Sequence, residues 1–129
     1  WKSRDGNPKN VLLIFHGNAG LALRRANYRE YLKDQGSDWK TYLLEYPGYG
    51  AREGAPSEKA LTEAALEALD TLAASSPQPT IRILGESLGS GVASAVAGAR
   101  PGQVAGVILV TPYDSLVNAA RSHYPWLPV

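Results

Sequence analysis

At 129 residues, with 12 acidic and 13 basic side chains, the chain is one domain or part of one, and its near-neutral, interspersed charge argues against a nucleic-acid partner. The absence of cysteine excludes a disulfide framework and a thiolate metal site. No apolar run approaches the ~18 residues needed to cross a bilayer, and a start on Trp1 instead of methionine leads us to expect a missing preceding segment, with any targeting signal in it.

Residues 1–10 are polar and turn-rich, with Asp5-Gly6 and Asn7-Pro8, and read as a connector entering the fold. Val11 to Phe15 is apolar at every position, the pattern of a strand buried on both faces of a parallel sheet. His16-Gly17-Asn18-Ala19-Gly20 follows at its C-terminal end. Leu21 to Gln35 reads as a helix closed by Gly36, and Lys40 to Tyr46 as the next strand, running into the rigid turn Pro47-Gly48-Tyr49-Gly50 and an open loop to Pro56.

Ser57 is placed to cap a helix through about Ala74, since Leu61, Ala65, Leu69 and Leu72 recur at helical spacing. After a break at 75–79, Thr80 to Leu84 gives a third strand. A helix of small residues, with Val92, Ala93, Ala95, Val96 and Ala97, extends to about Ala99. A turn at Arg100-Pro101-Gly102 leads to a fourth apolar strand, Val104 to Val110. Asp114 or Ser115 could cap a last helix reaching Tyr124, stopped by Pro125. Four strands alternating with helices imply parallel, right-handed βαβ units, with ligands expected at the C-terminal strand ends.

Gly85, Ser87 and Gly89 form the G-x-S-x-G pattern of a nucleophile elbow between the third strand and its helix. At such a turn the serine backbone is strained, and neighbouring Cβ atoms would collide with strand and helix. The helix start aims unpaired N–H groups and a positive dipole end at the same place. One oxyanion donor in such a site is the N–H after the nucleophile, here Leu88. A second would come from the earlier glycine-rich loop, with Asn18 the natural supplier and Ala19 its neighbour. The bland alternatives are an ordinary strand-to-helix turn with an incidental serine, and a glycine-rich turn with no ligand.

A serine hydroxyl needs a histidine base and an orienting carboxylate, and the sequence has two histidines. His16 belongs to the oxyanion motif and reads as structural. Asp114 and His123 follow Ser87 in hydrolase order. On one helix, however, their nine-residue separation sets them on opposite faces and about 13 Å apart along the axis, so they cannot touch. Asp114 is a minor candidate for a displaced acid and reads better as a helix cap. A rival use of the glycines exists, because Gly85, Gly89 and Gly91 also fit the G-x-x-x-G-x-G fingerprint of short-chain dehydrogenases. That fingerprint belongs after a first strand, with an acidic residue ending the next. Here it follows the third, and the next strand ends in Val110-Thr111.

The stretches VLLIFHGNAG, LLEYPGYG, GESLGSGVA and ILVTPYDSL, with a PSE that begins a helix, resemble the α/β-hydrolase superfamily. Within it they are similar to the α/β-hydrolase-domain proteins related to prolyl-oligopeptidase-type enzymes. These are typically esterases, lipases or thioesterases, several of them membrane-associated. The resemblance implies a sheet of eight strands in the full fold, of which this chain supplies the third to the sixth, in the spatial order fourth, third, fifth, sixth. It implies Ser87 as nucleophile, the Asn18 and Leu88 N–H groups as oxyanion hole, and the turn around Tyr49 at the pocket mouth. The family's acid and histidine usually follow the seventh and eighth strands. The expectation is therefore a truncated domain over 1–129, with helices on both faces of its sheet and a bare strand edge prone to self-association. It would act on a small-molecule or lipid-like acyl substrate, with no metal or cofactor implied. A hydrolase-like scaffold that binds without turnover is the alternative.

Overall fold

In a computed structural model, residues 8–18, 20–33, 38–75 and 77–112 are described. They contain four strands, β1 Asn10–Phe15, β2 Trp39–Leu44, β3 Thr80–Glu86 and β4 Gly106–Val110, in one parallel sheet of order β2-β1-β3-β4. This is the expected order. The helices are α1 Tyr28–Lys33, α2 Glu58–Ala73 and α3 Leu88–Ala99, with a 3-10 turn over Ala22–Arg25 before α1.

The apolar run of β1 is buried along its length because helices cover both faces of the sheet. Its alternate residues divide between two cores, as the two-residue period of a strand requires. Val11, Leu13 and Phe15 pack with Ile81 and Ile83 of β3, Leu61, Ala65 and Leu69 of α2, and Val92, Ala93 and Val96 of α3. Leu12 and Ile14 face the other way, with Leu84 and with Tyr28 and Leu32 of α1. Ser57 caps α2 as its sequence position suggests, its Oγ accepting the Ala60 N–H at 3.1 Å. Arg100 after α3 forks onto Asp70 of α2, Nε to Oδ1 at 3.0 Å and Nη2 to Oδ2 at 3.1 Å. The pair holds the two helices together and lowers the pKa of Asp70.

The single helix expected from Leu21 to Gln35 is two pieces. A 3-10 turn ends at Arg25 and α1 begins at Tyr28, separated by Ala26 and Asn27. Asparagine competes for backbone hydrogen bonds and favours turns over helix interiors. The expected cap at Gly36 and the helix from Asp114 to Tyr124 lie outside the described residues.

Parallel register sets the sheet's C-terminal edge. Phe15 stands opposite both Leu44 and Gly85, and Glu86 opposite Val110, so the loops leaving all four strands open side by side. The start of α3 is pressed so closely on β1, and on the end of β3, that the glycines of the turn have no room for a side chain. A Cβ at Gly89 would lie 2.1 Å from the Phe15 carbonyl oxygen, and one at Gly85 2.2 Å from the Gly89 carbonyl oxygen. Gly98, on the exposed far end of α3, meets nothing within 4 Å. Gly89→Ala is therefore expected to lower stability by about 3 kcal/mol or more, since backbone must move. Gly98→Ala should raise it by about 0.5–1 kcal/mol through helix propensity. Urea unfolding of the two variants tests this, and similar effects at both positions would show that the contact with β1 is not what limits position 89.

Candidate active site

Ser87 is exposed at the C-terminal edge, between the end of β3 and the start of α3, with φ 48° and ψ −115°. An L-residue holds such a conformation at a cost of about 1–3 kcal/mol only when its surroundings impose it. They do so from both sides. Its N–H donates to the Val110 carbonyl at 2.9 Å, while its own carbonyl accepts the Ser90 N–H at 2.8 Å and the Ser90 hydroxyl at 2.5 Å. Ser90, 2 % exposed, is a support that the sequence did not single out. A small polar residue three positions after the serine was the available signal.

Leu88 opens α3. As the first residue of the helix, its N–H has no acceptor inside it and lies at the positive dipole end. The loop after β1 passes directly against this turn: a Cβ at Gly17 would stand 3.4 Å from the Ser87 Cβ and 3.3 Å from the Glu86 carbonyl oxygen. Asn18 is exposed on the same loop, and its Oδ1 accepts the hydroxyl of half-buried Tyr49 at 2.9 Å. Ser87, Leu88, Asn18 and Tyr49 thus come together at one edge of the sheet. Ala19, Asp114 and His123 lie outside the described residues.

His16 is 1 % exposed. Its Nδ1 donates to the Gly17 carbonyl at 2.9 Å and its Nε2 is hydrogen-bonded to Glu45 Oε1 at 2.9 Å. The ring packs on Tyr46 and Tyr49, with centroids 4.5 and 5.4 Å away. Both nitrogens are committed, so His16 holds the loop and is not a free base. This is the structural place its motif suggests, with Glu45 a partner that the sequence did not single out. The other Glu45 oxygen, Oε2, accepts the Ala22 N–H at 3.2 Å.

A second carboxylate was also missed. Glu86, immediately before the serine, bonds the Arg25 Nε through Oε2 and the Tyr28 hydroxyl through Oε1, the latter at 2.6 Å. Burial and then the Glu86 carboxylate push the Tyr28 hydroxyl up to about 12. Glu45 and Glu86 face partners distant in sequence, and nothing in the local pattern announced them.

The family model described as Hydrolase_4, serine aminopeptidase S33, matches residues 6–127. An uncharacterized protein, Rv2307c of Mycobacterium tuberculosis (strain ATCC 25618 / H37Rv), is 37% identical over 127 residues, 97% of this chain and 44% of its own length. Lysophosphatidylserine lipase ABHD12 of Gallus gallus is 33% identical over 121 residues, 92% of this chain and 32% of the lipase. Among solved structures, a monoacylglycerol lipase of Paleococcus ferrophilus superposes with TM-score 0.69 at 21% identity, over 95% of this chain and 51% of that one. The chain thus spans less than half the length of these two curated relatives. The family match, with a glycine-rich turn that follows the third strand and not the first, goes against the dinucleotide reading. From the motif order, the sheet and the family match together, the chain belongs to the α/β-hydrolase superfamily, in the Hydrolase_4 family.

Proposed function

We propose that this chain is the nucleophile-bearing part of a serine hydrolase that cleaves ester or related acyl bonds. The observation that carries the reading is the exposed, strained Ser87, with the Gly17-Asn18 loop packed against it and the start of α3 behind it. The Ser87 Oγ would attack the acyl carbon while a histidine takes its proton. The oxygen that becomes negative would be met by the N–H groups of Leu88 and Asn18, a contribution of about 3–4 kcal/mol for each donor. Collapse would expel the alcohol or thiol with the histidine's proton and leave an acyl-serine for water to hydrolyse.

The histidine and its acid would come from beyond Val129. His16 is occupied, and relatives at least twice as long as the matched stretch have room for both. Tyr49 would stand at the pocket mouth, with Ala19 beside the second donor. The lipase names of the ABHD12 relative and of the Paleococcus neighbour favour a lipid-like acyl substrate. They also favour a whole protein that works at a membrane surface. Val107, Ile108 and Leu109 of β4, 41–46% exposed, support a domain that extends over this strand.

Treatment of the full-length protein with a fluorophosphonate probe should give one adduct, mapping to Ser87. Ser87→Ala should remove it and lower kcat by at least about 10⁴-fold, while the 129-residue chain alone should not react. An unreactive full-length protein would support the scaffold reading instead. The isolated chain is expected to self-associate through β4 in sedimentation experiments. A sharp, monomeric unfolding transition would contradict the truncated-domain part of the proposal.

A further inference from the structure

The loop that would supply Asn18 leaves β1 at His16 and ends in the 3-10 turn at Ala22. Its near end is fixed by the sheet. Its far end is held by side chains: Glu45 takes the Ala22 N–H, and the rest of the turn is held by a residue that also adjoins the candidate nucleophile. Glu86 approaches the loop with its backbone, its carbonyl oxygen being 3.3 Å from where a Gly17 Cβ would sit. With its side chain it grips Arg25 at the end of the 3-10 turn and Tyr28 at the start of α1. Both carboxylate oxygens are engaged, and the group is 15% exposed against 26% for Arg25. An ion pair so sheltered from solvent is weakly screened, and removal of one partner would leave the other charge poorly compensated. The result is a closed circuit from Ser87 through Glu86, Arg25 and the loop, back to Gly17 beside the serine.

We propose that Glu86 is a positioning residue that sets the oxyanion loop at a fixed distance from Ser87 by binding Arg25 and Tyr28. The inference rests on the hydrolase reading above. Glu86 touches no reacting atom; its effect passes through the position of the Asn18 N–H.

Four variants of the full-length protein test it: Glu86→Gln, Arg25→Met, the two combined in a double variant and Arg100→Met. The last serves as reference: it breaks the Asp70–Arg100 pair, an ion pair of comparable form at the opposite end of α3 from the serine. Amide exchange in peptides covering 16–25 reads the loop directly, since the Gly20 N–H is bonded to the Gly17 carbonyl. Hydrolysis of a short p-nitrophenyl ester reads the chemistry. Glu86→Gln and Arg25→Met should each speed loop exchange about tenfold. Each should lower kcat about ten- to hundredfold, as small misplacements do, with KM changed less than about twofold. The double variant should be little worse than either single one, and Arg100→Met should alter neither readout. Should Glu86→Gln not fold, Arg25→Met carries the same comparison.

Unchanged exchange, faster exchange with unchanged kcat, or equal effects in Arg100→Met would each overturn the inference. A parent protein that neither hydrolyses the ester nor takes the fluorophosphonate overturns the hydrolase reading and this inference with it. That failure is recognised before any variant is compared.

Discussion

The arrangement depends on a main-chain contact. The start of α3 lies so close to the end of β1 that glycine alone fits at 89, and so close to the end of β3 that glycine alone fits at 85. Nothing adjustable stands between the Phe15 carbonyl and the helix start. With the parallel register bringing Phe15, Leu44, Gly85 and Leu109 to one level, the contact fixes where every loop at that edge begins. The backbone of Ser87 is then caught between the Val110 carbonyl and Ser90. Its unfavourable conformation follows from those bonds, and its exposure follows from the conformation.

Side chains add a second tier of constraint. Glu45 and Glu86 rise from the ends of β2 and β3, on either side of β1, toward the segment that follows the glycine-rich loop. The first takes the Ala22 N–H while hydrogen-bonded to His16, and the second takes Arg25 and Tyr28. Tyr49 adds a bond to Asn18 itself. Three separate elements therefore bear on one short loop. Sheltered carboxylates suit the task because charged acceptors make stronger hydrogen bonds than neutral ones.

The fold was largely legible in the sequence because its signals are local. Continuous apolar runs marked β1 and β4, the stretch from Thr80 to Leu84 marked β3, Ser57 marked the start of α2, and Gly85-x-Ser87-x-Gly89 marked the turn. The break at Ala26-Asn27 was missed because apolar spacing continues across it through Leu23, Tyr28 and Leu32. Ser87, Leu88, Asn18 and Tyr49 were readable as a group from motifs that each carry their own glycines. Glu45, Glu86, Arg25 and Ser90 were not, since their meaning lies in partners up to 61 positions away or in a single backbone carbonyl. Sequence spacing reports periodicity along one element and is silent on which ends of different elements meet.

Because the serine is located by peptide groups and not by side-chain fit, the residues surrounding it are released from that duty. Exposed positions such as Asn18, and the turn around Tyr49, can be exchanged for others without displacing the hydroxyl, provided the glycines stay. A rigid main-chain frame with a variable rim lets one architecture accept many shapes of ligand. In such a frame, diversification should concentrate in the loops at the sheet's C-terminal edge, while the strands beneath them drift only within the limits set by packing.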